Sequence, residues 1–129
     1  MAPSVRDLAA AQYVLLTTFR KDGTPVDTPL WVAPDGDAAV VWTPRESWKV
    51  RRIRHTPRVT VAECDVRGNV RGDSVSAHAE LLDDAGSDHV RTLVARKYGI
   101  LGRLTLFGSR VRRGRTGTIG IRITGEPAA

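Results

Sequence analysis

The chain is poor in most of the residues that side-chain chemistry relies on. Among its 129 residues there is one cysteine, Cys64, so no intramolecular disulfide can form and a reducing compartment is expected. Aromatic residues make up only 5% of the chain, too few for a platform on which successive bases of a single strand would stack. No apolar run approaches the roughly 20 residues of a membrane span. The start, Met1-Ala2-Pro3-Ser4-Val5-Arg6-Asp7, lacks the apolar centre of a secretion signal. A soluble, cytoplasmic protein is expected. His55, His78 and His89 are far apart and without metal-ligand spacing, so no metal site is expected. Nucleophile elbow, Walker loop and Rossmann glycine pattern are all missing. An enzyme built this way must take its chemistry from an organic cofactor and supply position and electrostatics itself.

Negative charge is also in the minority. Against 14 acidic residues stand 20 basic ones, a net charge of +6 and a pI near 10.4. That balance favours anionic partners such as phosphorylated cofactors, polyacidic ligands or nucleic acid. The excess gathers at 45–54, 67–71 and 110–115. With 41% apolar residues, the chain can bury a core, and its length suits one domain, 1–129.

Taken in order, Ser4 caps a short helix over Val5 to Gln12, with Asp7 in the capping-box position. Tyr13 to Arg20 reads as a strand, Lys21 to Pro25 as a hairpin turn around Asp22-Gly23, and Val26 to Ala33 as a second strand. Pro29 cannot donate to a ladder, so an edge or a bulge is expected there. Pro34-Asp35-Gly36-Asp37 turns into a third strand, Ala38 to Thr43. After a basic helix, strands follow at Arg58 to Arg67 and Asp73 to Leu82. Ser87 is expected to cap a helix through Arg96 that breaks at Tyr98-Gly99, with a short turn over Arg103–Phe107. Arg96 and Lys97 suit the macrodipole at that helix end. A basic loop at 110–115 leads to a final strand, Thr116 to Thr124, and a frayed tail from Gly125. Six short antiparallel strands at this spacing, with two or three helices, favour a closed or nearly closed barrel.

The stretch Trp42-Thr43-Pro44-Arg45-Glu46-Ser47-Trp48-Lys49-Val50-Arg51-Arg52-Ile53-Arg54 carries the clearest functional signal. A strand ends, a proline breaks it, and a helix begins within a few residues. Arg45, Lys49 and Arg52 would share one helix face while Val50 and Ile53 hold the core. A cationic ridge beside free helix N–H groups suits a phosphate. A solvated basic helix is the plainer account of the same charges.

Five segments, in order, resemble the split β-barrel flavin-binding proteins, the pyridoxamine 5′-phosphate oxidase-like superfamily. They are Thr17–Val26, Thr28-Pro29-Leu30-Trp31-Val32, Trp42-Thr43 with Ser47-Trp48-Lys49-Val50, Asp65-Val66-Arg67-Gly68, and Ala95-Arg96-Lys97-Tyr98-Gly99. Within it the chain is most similar to the group B oxidoreductases that use the deazaflavin coenzyme F-420. The resemblance implies a six-stranded split barrel, a homodimer with cofactor sites at the interface, and hydride transfer to an unsaturated small molecule, whether biliverdin-like, an enone or a quinone. It implies that Pro29, Leu30, Trp31 and Val32 lie along the ring. Thr43, Ser47, Lys49 and Arg52 would hold the phosphate, Trp48 would join the cofactor site, and Asp65 and Arg67 would border the ring or tail. Trp31 and Trp48 have a packing role as the plainer reading. The family's acidic tail would suit Arg54 and Arg112–Arg115. The arginine-bearing C-terminal motif of the vitamin B6 oxidases is missing, and FMN is the alternative cofactor. A non-catalytic cofactor carrier and a nucleic-acid-binding barrel are the readings from other classes.

Overall fold

The computed structural model of the chain describes residues 3–113 and 117–125, with side chains up to Gly99 and again from Gly117. Six strands, β1 Tyr13–Phe19, β2 Pro25–Asp35, β3 Ala38–Pro44, β4 Arg58–Cys64, β5 Val75–Leu81 and β6 Thr118–Gly125, close into one antiparallel barrel in the order β1-β2-β3-β6-β5-β4. The helices are α1 Val5–Ala9, α2 Trp48–His55 and α3 Asp84–Arg113. Strand alternation fills the barrel with Val14, Leu16, Val32, Val41, Val59, Val61, Ile121 and Ile123, all buried. Val5, Leu8 and Ala9 of α1 pack on one end of this core, and Ile53 of α2 on the other.

The barrel is parted between two of its strands. β2 pairs with β3 only from Val32↔Val41 to Asp35↔Ala38, whereas it pairs with β1 from Phe19↔Pro25 to Tyr13↔Trp31. Residues 25–31 therefore have a strand neighbour on one side alone. The Val32 N–H donates to the Tyr98 hydroxyl at 3.1 Å, and its carbonyl accepts from that hydroxyl at 2.8 Å and from Lys97 Nζ at 2.7 Å. The Gln12 carbonyl stands 2.6 Å from the same hydroxyl and shares its single proton with the Val32 carbonyl, so Val32 faces the β1 side. Backbone groups alternate along a strand, so Pro29 and Trp31 turn theirs to the open side. The missing N–H of Pro29 costs nothing there, which meets the expectation of an edge position.

Several sequence expectations change at α3. Ser87 is not its cap, because the helix begins at Asp84 and the Asp83 carboxylate accepts from the Gly86 N–H at 2.8 Å. Ser87 is fully buried instead, and its Oγ accepts from the Gly120 N–H at 2.9 Å, docking α3 on β6. Lys97 is not a macrodipole residue, since its ammonium donates to the carbonyls of Ala9, Ala11 and Val32. The break at Gly99 is a kink, with φ 61° and ψ −135°, after which helix resumes to Arg113. Residues 110–113, expected in a basic loop, are thus helical, while the side chains of Arg112–Arg115 and the tail 126–129 lie outside the described residues. α1 ends at Ala9 rather than Gln12, β4 at Cys64 rather than Arg67, and β6 begins at Thr118. The Ser4–Asp7 capping box forms as expected.

Two substitutions test this scaffold. Lys97→Met leaves three carbonyls without their charged donor and should cost about 2–3 kcal/mol in urea unfolding. At Gly120 an added Cβ would stand 2.7 Å from Val90 Cγ2 and 3.2 Å from the Ser87 backbone. Gly120→Ala should therefore force α3 off β6 and lower stability by about 1–3 kcal/mol.

Candidate functional site

The ridge foreseen around residue 49 forms, but its members divide. Arg45 is drawn away before the helix starts. Its N–H donates to the Gly117 carbonyl at 2.9 Å, and its guanidinium reaches Asp84 and the Thr118 carbonyl, each at 3.3 Å. Arg45 therefore ties the turn after β3 to the start of β6 and does not join Lys49 and Arg52. The turn itself is closed by the Ser47 N–H donating to the Pro44 carbonyl at 3.2 Å.

What remains at the head of α2 is a set of groups with unmet demands. Thr43, 1% exposed, and Ser47, half-buried at the N-cap of α2, each have a buried hydroxyl oxygen without a hydrogen-bond partner. Ser47 makes no side-chain cap bond, so the first N–H groups of α2 are not satisfied by it. Lys49 is half-buried, with no carboxylate paired to it among the described residues. Burial, and then the charge of Arg52, holds its pKa below the usual 10.5. Arg52 donates from Nε to the buried Thr18 hydroxyl at 2.7 Å, which fixes its side chain across the end of β1. Burial, then the charge of Arg20, lowers its pKa as well. Two cations close enough to oppose each other's charge, on a helix whose approach carries two buried hydroxyls without partners, are suited to a phosphate.

On the other flank of α2 lies an open groove of about 720 Å³, lined by Arg20, Lys21 and Val26 of the first hairpin and by Trp48, Arg51, Arg52 and His55. The four helical residues recur at i, i+3, i+4 and i+7, one face of α2. The sequence reading chose a different face, and it passed over Arg20, Arg51, His55 and Thr18. The spacing from Trp48 was the signal that could have found three of the helical members.

The remaining expected residues fall elsewhere. Leu30 and Val32 point inward, Val32 fully buried and Leu30 packed on the core. Their backbone groups turn to the β1 side, where those of Val32 are taken by Tyr98 and Lys97, so neither residue offers a group to a ligand at the open edge. Trp31 lies on the outer face and stacks on Tyr98 with ring centroids 4.3 Å apart and planes 6° apart, so one of its faces is taken by packing. Pro29 is exposed on the open edge. Asp65 and Arg67 sit in the turn after β4. There the Asp65 carboxylate accepts from the N–H groups of Asn69 and Arg67, each at 2.9 Å, and the Asn69 bonds chiefly hold its pKa down. Within one chain this turn is remote from α2. Tyr13, the partner of Cys64, lies five residues before Thr18, about 17 Å of strand. Burial raises the Cys64 thiol pKa, as befits a packing residue rather than a nucleophile.

Among the described residues no group of three His, Cys, Asp or Glu could hold a metal, and no helix is long and apolar enough to cross a membrane. Known structures share the barrel. An F420 reductase is 20% identical, with a TM-score of 0.64 over 98% of this chain and 97% of its own. A FAD-binding protein from Mesorhizobium loti is 21% identical, with a TM-score of 0.61 over 93% and 83% of the two chains. HutZ, a haem storage protein from Vibrio cholerae, is 12% identical, with a TM-score of 0.62 over 94% and 86%. At such identities the likeness establishes the fold and leaves the ligand open. No curated protein sequence matches. The family model described as pyridoxamine 5′-phosphate oxidase, in contrast, matches residues 1–124, nearly the whole barrel described above, and the chain belongs to that family.

Proposed function

We propose that the chain binds a phosphate-bearing flavin-type coenzyme, the deazaflavin F-420, and acts as a reductase of an unsaturated small molecule. The observation that carries this reading is the cradle at the head of α2: the buried Thr43 and Ser47 hydroxyl oxygens have no hydrogen-bond partner, and the half-buried Lys49, two residues on from Ser47, has no carboxylate paired to it among the described residues. One phosphate would accept from both hydroxyls and neutralise the ammonium, and Arg52 stands beside Lys49 to share the charge. For the ring, the open edge of β2 offers the backbone of Pro29 and Trp31, and Trp31 is held flat by Tyr98. When bound, reduced F-420 supplies a hydride to an acceptor such as a biliverdin-like tetrapyrrole, an enone or a quinone. The chain's own part is to bind, orient and shield, since among the described residues no acid–base pair lines this edge and solvent can supply the proton. Family membership and the shared fold with an F420 reductase support the reading.

The proposal includes a homodimer. The outer faces of β1, of the free half of β2 and of the β4–β5 turn present Leu15, exposed Pro29, and Val66 and Val70 at 62% and 53% exposure. A second copy seated there is the means by which Asp65 and Arg67, remote from α2 in one chain, could share a cofactor. FMN is the second reading, because its phosphate would suit the same cradle.

Titration with oxidised F-420, and separately with FMN, should quench tryptophan fluorescence at micromolar ligand for the true cofactor. Lys49→Ala should weaken that binding about tenfold or more. Absence of quenching by F-420 together with an unaltered Lys49→Ala profile would sink the F-420 assignment, and quenching by FMN alone would move the chain to that cofactor. Burial and Arg52 depress the pKa of Lys49 in the ligand-free protein, and a bound phosphate raises it again. Affinity should therefore be full while Lys49 is charged and fall as pH rises through its depressed pKa. In Lys49→Arg the side chain stays charged, and this alkaline loss should disappear.

A further inference from the structure

The groove between the first hairpin and α2 is separate from the cradle, sharing only Arg52 with it, and it has its own chemistry. Arg20, Lys21, Arg51, Arg52 and His55 line it, and no carboxylate does. Two acids stand near it among the described residues: Glu46, whose Oε2 is 4.0 Å from Arg51 Nη2 with both side chains more than half exposed, and Asp22 of the hairpin, fully exposed, whose carboxylate feels the charge of Arg20. Such contacts are weak ties. Trp48 stands in the same groove at 69% exposure, and the Arg51 guanidinium covers one face of its ring at 4.7 Å. A tryptophan this exposed is not serving the core, and the four helical lining residues occupy the side of α2 opposite Val50 and Ile53. About 720 Å³ is ample for one mononucleotide. Among the described residues lining the groove, His55 carries the one ring besides Trp48, too small a platform for successive bases, which argues for one nucleotide over a strand.

We propose that this groove binds a purine nucleotide carrying two or more phosphates, with its base stacked on Trp48 and its phosphates held by Arg20, Lys21 and Arg52. Val26 supplies an apolar wall beside the base. Arg51 already shows that a flat cationic group settles on the indole. A base takes the free face or displaces Arg51, which then turns to the phosphates. The crowding of Arg20 against Arg52 is relieved by the ligand. The two sites share Arg52, and nucleotide binding here does not require a coenzyme in the cradle.

The test uses the full chain and the fluorescence anisotropy of N-methylanthraniloyl-ADP, with unlabelled competitors. ADP should displace the probe about tenfold more effectively than adenosine, pyrophosphate or triglutamate. Trp48→Ala, at an exposed position where folding is not at stake, should weaken probe binding about tenfold, and Arg20→Gln severalfold. Lys49→Ala should leave probe binding within about twofold, whatever it does to F-420, which keeps this site and the cradle distinguishable. Absence of probe binding would overturn the proposal. So would pyrophosphate or triglutamate competing as well as ADP, since the groove would then read charge alone, or a Trp48→Ala protein that binds like the parent.

Discussion

Val32 is where β2 changes partners, and the architecture of the candidate site follows from that exchange. Up to Trp31 the strand leans on β1; from Val32 it leans on β3. A backbone amide and carbonyl at the changeover would be left without partners in a buried place, a cost of order 1–3 kcal/mol for each. Lys97 and Tyr98 meet that demand from α3, and the same two side chains reach back to Ala9, Ala11 and Gln12. The latch thus holds four pieces together: the end of α1, the approach to β1, the middle of β2 and the last turn before the kink at Gly99. With Val32 secured from outside the sheet, the first half of β2 can separate from β3 without unravelling the barrel.

The separation leaves α2 with three duties on eight residues. Val50 and Ile53 face the core, Lys49 is half-buried between that side and the groove, and Trp48, Arg51, Arg52 and His55 face the groove. A helix that short has little intrinsic stability, so its packing must hold it. Buried Val50 and Ile53, with Arg52 anchored on Thr18, supply that hold, so the other cations of the helix are not needed to pin it down. Arg45 and Arg91 reinforce the arrangement from the other side by converging on the Thr118 carbonyl, which fixes the start of β6 against the turn that leads into α2.

How much of this the sequence disclosed depended on the range of the interaction. Strands with alternating residues, the Ser4–Asp7 box and the edge role of Pro29 rest on local rules, and each was legible. The position of α2 was legible too, because a proline and a hydroxyl residue mark its approach and Val50 and Ile53 mark its buried side. Partner choice over long distances was not. Lys97 looks like a helix-end cation until α1 and β2 are brought beside it, Arg45 looks like a ridge member until Asp84 and Thr118 arrive, and Ser87 looks like a cap until β6 lies against it. In each case a residue suited to a local role was claimed by a group more than 30 positions away. The groove escaped notice for the same reason, since Arg20 and Trp48 meet only once the hairpin folds over α2.

The parted barrel also carries a hazard. Residues 25–31 of β2 expose one side of their backbone, and an exposed strand edge is a template on which a stray strand from another molecule can add itself. Closing the edge with a permanent strand would remove the hazard and the opening together. Pro29 resolves the conflict. It removes an N–H from the middle of the free edge, so an incoming strand finds its ladder interrupted, while a ligand that approaches as a compact ring loses nothing. A residue whose missing N–H costs nothing on an open edge thereby guards that edge against edge-to-edge aggregation.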